Sequence, residues 1–454
     1  MPLIATNPAT GKPISVHPEH RGPEIERAVA RAHRAQRAWR RRELSERAGH
    51  LLALAAELRR QIDLLAALAT AEMGKPITQS RAEIEKCAVL CEYYARNGAM
   101  LLADEKPAGA PAPGRVVFEP LGVVLAIMPW NFPFWQVIRA AVPVLIGGNV
   151  LLLKHAPNVP GCAIALEGVF RRAGFPTGVF QALRIGIGPV PGLIRDPRVA
   201  AVTLTGSTLA GRTVAEQAGA ALKPVVLELG GSDPAIVLAD ADLDRAAEAC
   251  AASRLFNSGQ SCVCAKRFIV VRSVLREFEE KFIARMAARR VGDPMDPAVE
   301  VGPLARVDLR AKLDGQVRAM IRRGAKVRLG GKMPAGPGFF YPPTVLSGVV
   351  PGMAGYEEEV FGPVASMIAV RNEAEAVRVA NDTSYGLGAN LFTRDPQKAR
   401  AIASQIESGC VFVNDFVRSM PELPFGGVKQ SGFGRELGPW GARAFMNVKT
   451  VWEG

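Results

Sequence analysis

Short apolar runs alternate with longer amphipathic stretches along most of the chain. GVVLAIMPW, NVLLLKH, VFQAL, AAVTLTGS, PVVLELGG and AIVLAD are continuous apolar runs, and FWQVIRAAVPVLIGG, CAIALEGVFRRAG and LDRAAEACAASRLF lie among them. Continuous apolar runs are typical of strands in a parallel sheet that is buried on both faces, and the stretches among them fit crossover helices. This rhythm predicts a doubly wound, Rossmann-like α/β domain.

A second cycle of the same kind follows residue 262. Strands are predicted at KRFIVV, KVRLGG, SMIAV, ANLFT and GCVFVN, and helices near residues 274–290, 305–324, 373–381 and 396–406. Helical composition also covers residues 24–72 and 78–103, and PAGAPAPG (107–114) is a predicted linker. The final NVKTVWE alternates like a strand, which predicts pairing with residues 115–120 or with another subunit.

Composition and charge exclude several classes of protein. The chain has 454 residues, 48% of them hydrophobic and 22% charged, which is typical of a globular protein of two or three domains. The net charge is +13, and much of this excess lies in one segment, at Arg27, Arg31, Arg34 and Arg37 and then at Arg40, Arg41 and Arg42. Spacing of three to four residues favours a solvated helix face over a nucleic-acid surface.

Cysteine and histidine usage argues against disulfides and metal sites. The seven cysteines include no CxxC pair, and the five histidines form no HExxH motif. The first residues lack the apolar core of a secretory signal, and the apolar stretch 141–153 is shorter than the roughly 20 residues that cross a bilayer. We therefore expect a cytoplasmic protein with reduced thiols, without metal, and with no membrane or nucleic-acid partner.

Two segments place a reactive side chain among apolar residues. Cys262 follows Gly-Gln in FNSGQSCVCAKR, where backbone N–H groups at the start of an element would favour the thiolate, although a buried inert thiol fits the same pattern. Glu228 interrupts the apolar strand of VVLELGGSDP. A carboxylate there is costly unless it is used as a base or held in a structural ion pair.

Three further segments carry polar or glycine-rich patterns. Asn131 lies between two prolines in MPWNFPF, where its amide suits either an oxyanion or a turn. In LTGSTLAG a strand runs through Gly206 and Ser207 into a helix, an arrangement that cradles phosphate. GIGPVPG (186–192) is a weak dinucleotide signal, because Pro191 replaces the last glycine of GxGxxG.

Together these motifs resemble the aldehyde dehydrogenase superfamily, and most closely its bacterial succinate-semialdehyde dehydrogenases. PWNFP, LLLKH, LTGS, ELGGSDP, GQSC, EEVFGP and PFGGVKQSGFGRE occur in the family's order, from about residue 120 to residue 436. The resemblance implies a cofactor-binding domain (1–100 and 121–230), a catalytic α/β domain (231–435) and a small β oligomerisation segment (101–120 and 436–454). It also implies a homodimer or homotetramer.

The resemblance also implies a role for each matching residue. Cys262 would form a thioester with the aldehyde carbon, Glu228 would activate water as general base, and Asn131 would donate to the oxyanion. NAD or NADP would accept the hydride. Its expected contacts are Met128, Trp130, Lys154, Gly188, Gly206, Ser207, Leu229, Glu359 and Phe361.

The expected substrate class depends on Arg139, eight residues after Asn131. It resembles the arginine that grips the distal carboxylate in succinate-semialdehyde dehydrogenases, although a surface arginine on the crossover helix fits as well. Phe256 takes the place of a second carboxylate-binding arginine found in some relatives, so a second anchor has to come from elsewhere, for instance Arg418 or Ser419. The other expected substrate contacts are Gln136, Ser261 and Phe425.

Two residues raise further expectations. Pro157 stands where NAD-preferring relatives often carry a glutamate that repels a 2′-phosphate, so we expect dual cofactor use with NADP well tolerated. Cys264, separated from the expected nucleophile by one residue, is a possible redox partner or a small core residue.

Four other functions stay open: a dehydrogenase for another aliphatic or aromatic aldehyde, a coenzyme A-acylating dehydrogenase, a cofactor-free thiol esterase and a non-catalytic relative.

Overall fold

A computed structural model describes residues 2–110 and 114–453 of the chain, so residues 111–113 of the predicted linker lie outside the described residues. An antiparallel pair, β1 (Leu3–Thr6) and β2 (Pro13–His17), precedes the first helix. The sequence pattern does not predict this pair. Its strands are only four and five residues long, and their apolar residues Ile4, Ile14 and Val16 are exposed, so no run of buried residues marks them.

Four helices follow, and the first three divide the stretch predicted as continuously helical. They are α1 (Gly22–Trp39), α2 (Leu44–Arg60), α3 (Ile62–Met73) and α4 (Ile77–Leu101). Gly74 ends α3 in the left-handed conformation at φ 84°, which glycine adopts without steric cost. On α1, Arg27, Arg31, Arg34 and Arg37 are exposed while Ala28 and Ala32 are buried, which agrees with the predicted solvated face.

The predicted doubly wound domain is present as a six-stranded sheet in the order β18-β8-β7-β4-β5-β6. After β3 (Arg115–Pro120), its strands are β4 (Val123–Met128), β5 (Val150–His155), β6 (Phe180–Leu183), β7 (Val199–Thr205), β8 (Val225–Glu228) and β18 (Gly432–Phe433). Its helices are α5 (Trp135–Ile146), α6 (Pro160–Arg172), α7 (Val190–Arg195) and α8 (Thr208–Ala220). The strand order reverses at β4, where a crevice opens at the carboxyl ends of the strands.

The second predicted α/β unit is a seven-stranded sheet in the order β11-β12-β13-β10-β9-β15-β16. Its strands are β9 (Pro234–Val237), β10 (Arg267–Val271), β11 (Lys326–Leu329), β12 (Thr344–Ser347), β13 (Val364–Val370), β15 (Gly388–Phe392) and β16 (Cys410–Val413). Its helices are α9 (Leu243–Leu255), a 3-10 turn (Phe256–Gly259), α10 (Arg272–Ala287), α11 (Val307–Arg322), α12 (Ala354–Glu357), α13 (Glu373–Asn381) and α14 (Pro396–Ala403). Neighbours along its strands, such as Ile236 and Val237, belong to different apolar clusters, as expected for a sheet covered on both faces.

Small elements complete the chain. β14 (Tyr385–Gly386) pairs with β17 (Val428–Lys429), and α15 (Gly438–Arg443) precedes β19 (Met446–Val451). β19 pairs antiparallel with β3, with Met446 opposite Pro120 and Val451 opposite Arg115, so the first of the two predicted pairings is present. Across the described ranges, no helix combines the length and apolar character that crossing a membrane requires.

Candidate active site

Two cavities meet at Cys262, at the carboxyl ends of β4, β5 and β7. The first, here called the polar cavity, has a volume of about 390 Å3 and includes all the predicted cofactor residues except Gly188. The second, the apolar cavity, has a volume of about 460 Å3 and includes every predicted substrate residue. Cys262 and Gln136 line both. Gly188 is exposed beside the start of α7 and lines neither of these cavities, so its cofactor role stays a prediction.

The loop that carries Cys262 is held by buried cations. Lys266 Nζ donates to the carbonyl oxygens of Ser261 at 3.1 Å and Cys262 at 2.7 Å, while Arg254 donates to the carbonyl of Gly259 at 2.6 Å. Gly259 has φ 77°, and a Cβ there would lie 2.3 Å from the carbonyl carbon of Gly362. These contacts hold the loop in a conformation that belongs to no helix or strand. The FNSGQSC motif is the sequence signal for this loop.

Burial controls the protonation of the Cys262 thiol. Burial raises the pKa of Cys262 to about 12; Arg139 and Lys266 oppose this, and Glu228 adds to it. The sequence leaves open a favoured thiolate and a buried, protonated thiol; in the protein alone desolvation outweighs the nearby positive charges and favours the protonated thiol. The thiol is therefore protonated at neutral pH and needs a base.

Glu228 ends β8 as a buried carboxylate with no hydrogen-bond partner for either oxygen among the described residues. Burial and the neighbouring Glu436 raise the pKa of Glu228 well above its usual range, while Arg139 and Arg435 lower it. A raised pKa makes a deprotonated carboxylate a stronger acceptor of a proton from a thiol or from water. Glu228 is therefore a candidate base for Cys262.

Asn131 is tied to the Cys262 loop. Its Nδ2 donates to the carbonyl of Gln260 at 3.1 Å, and Asn257 Nδ2 donates to the Asn131 carbonyl at 2.8 Å. His155 supports the Asn131 loop from β5, with Nε2 lying 2.9 Å from the Pro133 carbonyl. No sequence pattern identifies Asn257 or His155 as supporting residues, because their contacts join segments that are distant along the chain.

Arg139 lines the apolar cavity but already has an anionic partner. Its Nε lies 2.5 Å from Glu436 Oε2, and both side chains are almost completely buried. Its guanidinium also lies 4.8 Å from the ring centre of Phe425 and 3.4 Å from Thr205 Oγ1. The sequence placed Glu436 in the oligomerisation segment and did not predict this ion pair. Whether Arg139 also binds a substrate carboxylate stays a prediction.

The polar cavity has the features of a dinucleotide site. Lys154 is a buried cation that forms no ion pair with a described carboxylate, and burial lowers its pKa. Ser207 caps the N-terminus of α8, where backbone N–H groups favour a phosphate. Trp130 and Phe361 meet edge to face at 5.9 Å, and Glu359 also lines the cavity. Arg306, Lys312 and Gln316 also line this cavity, and no motif in the sequence marks them.

Cys264 lies behind the nucleophile and not in either cavity. It is buried, and its Sγ donates to the carbonyl of Phe256 at 3.5 Å. Burial raises the pKa of the Cys264 thiol. Its redox role therefore stays a prediction. Within the described ranges, no group of three or more His, Cys, Asp or Glu side chains is placed to hold a metal ion.

Comparison with known proteins agrees with this geometry. The chain is 50% identical to "Succinate-semialdehyde dehydrogenase [NADP(+)] 1" of Mycobacterium tuberculosis (strain H37Rv), over 100% of both chains. It is 47% identical to a succinate semialdehyde dehydrogenase [NAD(P)+] of Escherichia coli (strain K12), over 99% of this chain and 97% of that one.

Solved structures give the same result. A crystal structure of succinic semialdehyde dehydrogenase from Streptococcus pyogenes in complex with NADP+ superimposes with a TM-score of 0.97 at 36% identity, over 99% of both chains. The family model described as "Aldehyde dehydrogenase family" matches residues 3–451. With Cys262 and Asn131 lining a dinucleotide-type cavity that meets a second, apolar cavity at Cys262, and with the buried Glu228 close enough to raise the pKa of that thiol, the chain belongs to the aldehyde dehydrogenase family.

Proposed function

We propose that this protein oxidises succinate semialdehyde to succinate with NAD or NADP, through a thioester on Cys262. The observation that carries the proposal is the position of Cys262, which lines both the polar and the apolar cavity. A nucleophile in that position can receive an aldehyde from one side and a hydride acceptor from the other. The names of the relatives support the same substrate and cofactors.

The residues of the polar cavity fit the cofactor. Lys154 and Ser207 would hold the adenosine ribose and the pyrophosphate, and Glu359 would hold the nicotinamide ribose. When bound, the nicotinamide supplies the hydride acceptor. Pro157 lines the same cavity and brings no carboxylate against a 2′-phosphate, which supports dual use with NADP well tolerated.

The protein side of the chemistry starts with proton transfer. Glu228 accepts the proton of the Cys262 thiol, and the thiolate forms a C–S bond to the aldehyde carbon. The side-chain amide of Asn131 and the Cys262 backbone N–H stabilise the oxyanion. As the oxyanion collapses, the carbon loses hydride and becomes a thioester. Glu228 next releases the thiol proton to solvent and takes a proton from water. The water oxygen then forms a C–O bond to the acyl carbon while the C–S bond to Cys262 breaks, and the acid product loses its remaining proton to solvent.

Arg139 is the proposed anchor for the distal carboxylate. It lies in the apolar cavity that also contains Gln136, Ser261, Ser419 and Phe425. Its pairing with Glu436 means that the substrate carboxylate has to share or displace that partner. Displacing Glu436 would leave a buried carboxylate without its cation, so the arrangement that this geometry favours is one in which both carboxylates share the guanidinium.

A homodimer or homotetramer in the cytoplasm completes the proposal. The β3–β19 pair presents the apolar side chains of Val448 and, beside it, Trp452 to solvent, which supports an assembly role for this segment. All seven cysteines are free in the described part of the chain, which supports a reducing compartment.

The test is an aldehyde panel assayed for reduced cofactor with NAD and with NADP. We expect succinate semialdehyde to give a kcat/KM well above that of butanal, which has the same carbon count and no carboxylate. Equal values would contradict the proposed substrate. A requirement for coenzyme A would instead identify an acylating dehydrogenase, and turnover without cofactor would identify an esterase. Cys262→Ala should abolish turnover while leaving cofactor binding intact.

A further inference from the structure

We propose that Lys86, together with Ser419, forms a second site for the distal carboxylate of the substrate, an inference that rests on the proposed function. Lys86 lies on α4, well away in sequence from the family motifs, and it lines the apolar cavity together with Cys262. Ser419 had been a candidate second anchor on sequence grounds alone. The structure adds the cation beside it.

Lys86 is held with its ammonium group at the cavity. Its Nζ donates to Ser419 Oγ at 2.9 Å and lies 4.1 Å from the ring centre of Trp135. These two contacts use one N–H of the ammonium and one face of the aromatic ring. An ammonium group has three donors, so donors remain for a carboxylate. Ser419 Oγ accepts from Lys86, which leaves its own hydroxyl proton free to donate to the same carboxylate.

Charge pairing distinguishes Lys86 from the other two cations of the cavity. Arg139 is paired with Glu436 at 2.5 Å, and Arg418 is paired with Asp415 at 2.8 Å. Among the described residues, Lys86 has no carboxylate within ion-pair distance. A cation in a largely apolar cavity without an anion of its own is the group that gains most when an anionic substrate enters.

The charged groups around Lys86 support this site. Burial lowers the pKa of Lys86 to about 8, Arg139 and Arg418 lower it as well, and Glu83 and Cys87 oppose the shift. The carboxylate of Glu83, although near, is committed elsewhere. It pairs with Lys75, and it accepts from the backbone N–H groups of Phe134 and Trp135 at 2.8 Å each. The surplus of positive charge at Lys86 is therefore not neutralised by the protein.

The walls of the cavity suit a short aliphatic chain with an anionic end. Phe132, Trp135, Phe256 and Phe425 line it, so methylene groups would be held between aromatic rings while Lys86 and Ser419 meet the carboxylate. A purely structural Lys86 would only cover Trp135. That alternative predicts no dependence on the charge of the substrate, and a substrate comparison can separate the two.

The experiment measures the ratio of kcat/KM for succinate semialdehyde to kcat/KM for butanal. In Lys86→Met we expect the ratio to fall about tenfold or more, the loss typical of one charge-assisted hydrogen bond. Lys86→Arg should restore most of the ratio. Arg96→Met is the matched control, because Arg96 is an exposed cation on the same helix and its removal should leave the ratio unchanged. Lys86→Gln serves as a second loss of charge if the Met variant does not fold.

Succinate, tested as a competitive inhibitor of butanal oxidation, separates this inference from the proposed substrate. A wild-type preference for succinate semialdehyde with an unchanged ratio in Lys86→Met would leave the proposed function standing and overturn the role of Lys86. If the wild type shows no such preference, the proposed function fails. The inhibition constant for succinate then decides: a rise of about tenfold in Lys86→Met supports the carboxylate site, and an unchanged constant refutes it.

Discussion

Removing the guanidinium of Arg139 should destabilise the protein far more than removing a surface arginine. Arg139 and Glu436 are both buried, with 2% and 6% of their side chains exposed. Arg139→Leu leaves the Glu436 carboxylate buried without its cation. Breaking a buried pair in this way costs about 3–5 kcal/mol, because the remaining charge has lost its partner and cannot reach water.

The double variant Arg139→Leu/Glu436→Leu tests whether the unpaired Glu436 carboxylate causes the loss of stability. It removes both charges and fills much of the space with apolar atoms, and such replacements are often neutral or stabilising. We therefore expect the double variant to recover most of the stability lost in the single one. Arg418→Leu is the control, since Arg418 and Asp415 are 47% and 38% exposed and a pair of that kind contributes about 0–1 kcal/mol.

The pH dependence of the single variant gives an independent check. Burial already raises the pKa of Glu436, and Arg139 is the group that lowers it, so removing Arg139 raises the pKa of Glu436 further. A group whose pKa is higher in the folded state favours folding when it is protonated, and this contribution is lost as the pH rises through the folded-state pKa. The stability deficit of Arg139→Leu should therefore grow from pH 5 to pH 8.

The measurement is urea unfolding followed by tryptophan fluorescence at one protein concentration, at both pH values. Midpoints that fall in Arg139→Leu and recover in the double variant would support the argument. A double variant no more stable than the single one, or a deficit independent of pH, would refute it. Arg139→Leu also tests substrate binding. If Arg139 anchors the distal carboxylate, kcat/KM should fall more for succinate semialdehyde than for butanal, whereas equal falls would make Arg139 structural.

Four further outcomes are expected at the site. Glu228→Gln should slow the initial burst of reduced cofactor as well as steady-state turnover, because the same carboxylate takes the thiol proton and later activates water; a normal burst followed by slow turnover would restrict Glu228 to hydrolysis. Pro157→Glu should raise the KM for NADP about tenfold or more and that for NAD much less, since the new carboxylate faces a 2′-phosphate; equal changes would separate this position from cofactor choice. The kcat/KM ratio of succinate semialdehyde to butanal should fall as the pH rises through about 8, where Lys86 loses its charge; a flat ratio would contradict that assignment. Peroxide should inactivate the enzyme by oxidising Cys262 to a sulfenic acid, which condenses with Cys264 to a disulfide, and dithiothreitol should then restore activity. Cys264→Ala should regain little activity after the same treatment; equal recovery in both proteins would leave Cys264 as a packing residue.

Local patterns of apolar residues predicted the two sheets, but they did not predict strands that are very short or that pair with a distant part of the chain. The apolar runs of β4, β5 and β7 identified their strands because a strand buried on both faces has no polar positions to obscure it. The two-residue strand β18 has no such signal. It joins the first sheet through Gly432, opposite Glu228, from far along the chain. Residues 432–433 fall within the predicted catalytic domain, and the domain boundaries stay a prediction.

The sequence predicted the site residues that lie in recognisable motifs and did not predict those that lie outside them. Cys262, Glu228 and Asn131 lie in segments whose resemblance to a family is visible in the residues themselves. Lys86 lies on an ordinary amphipathic helix, and its contact with Ser419 spans 333 residues of sequence. GIGPVPG is a weaker signal: residues 190–195 form the short helix α7, Gly188 is exposed, and its cofactor role stays a prediction.

The arrangement of Glu228, Glu436 and Arg139 explains how a buried carboxylate can serve as a base here. One guanidinium faces two carboxylates in a region with little water, and burial disfavours leaving both carboxylates charged. Glu436 holds the direct ion pair with Arg139, and its charge adds to the rise in the pKa of Glu228. A raised pKa makes the deprotonated Glu228 a stronger base, so it would accept a proton from the Cys262 thiol or from water more readily than an ordinary glutamate. The ion pair thus influences the pKa of a carboxylate that it does not touch, which links Glu436 to the electrostatics of the site as well as to its stability.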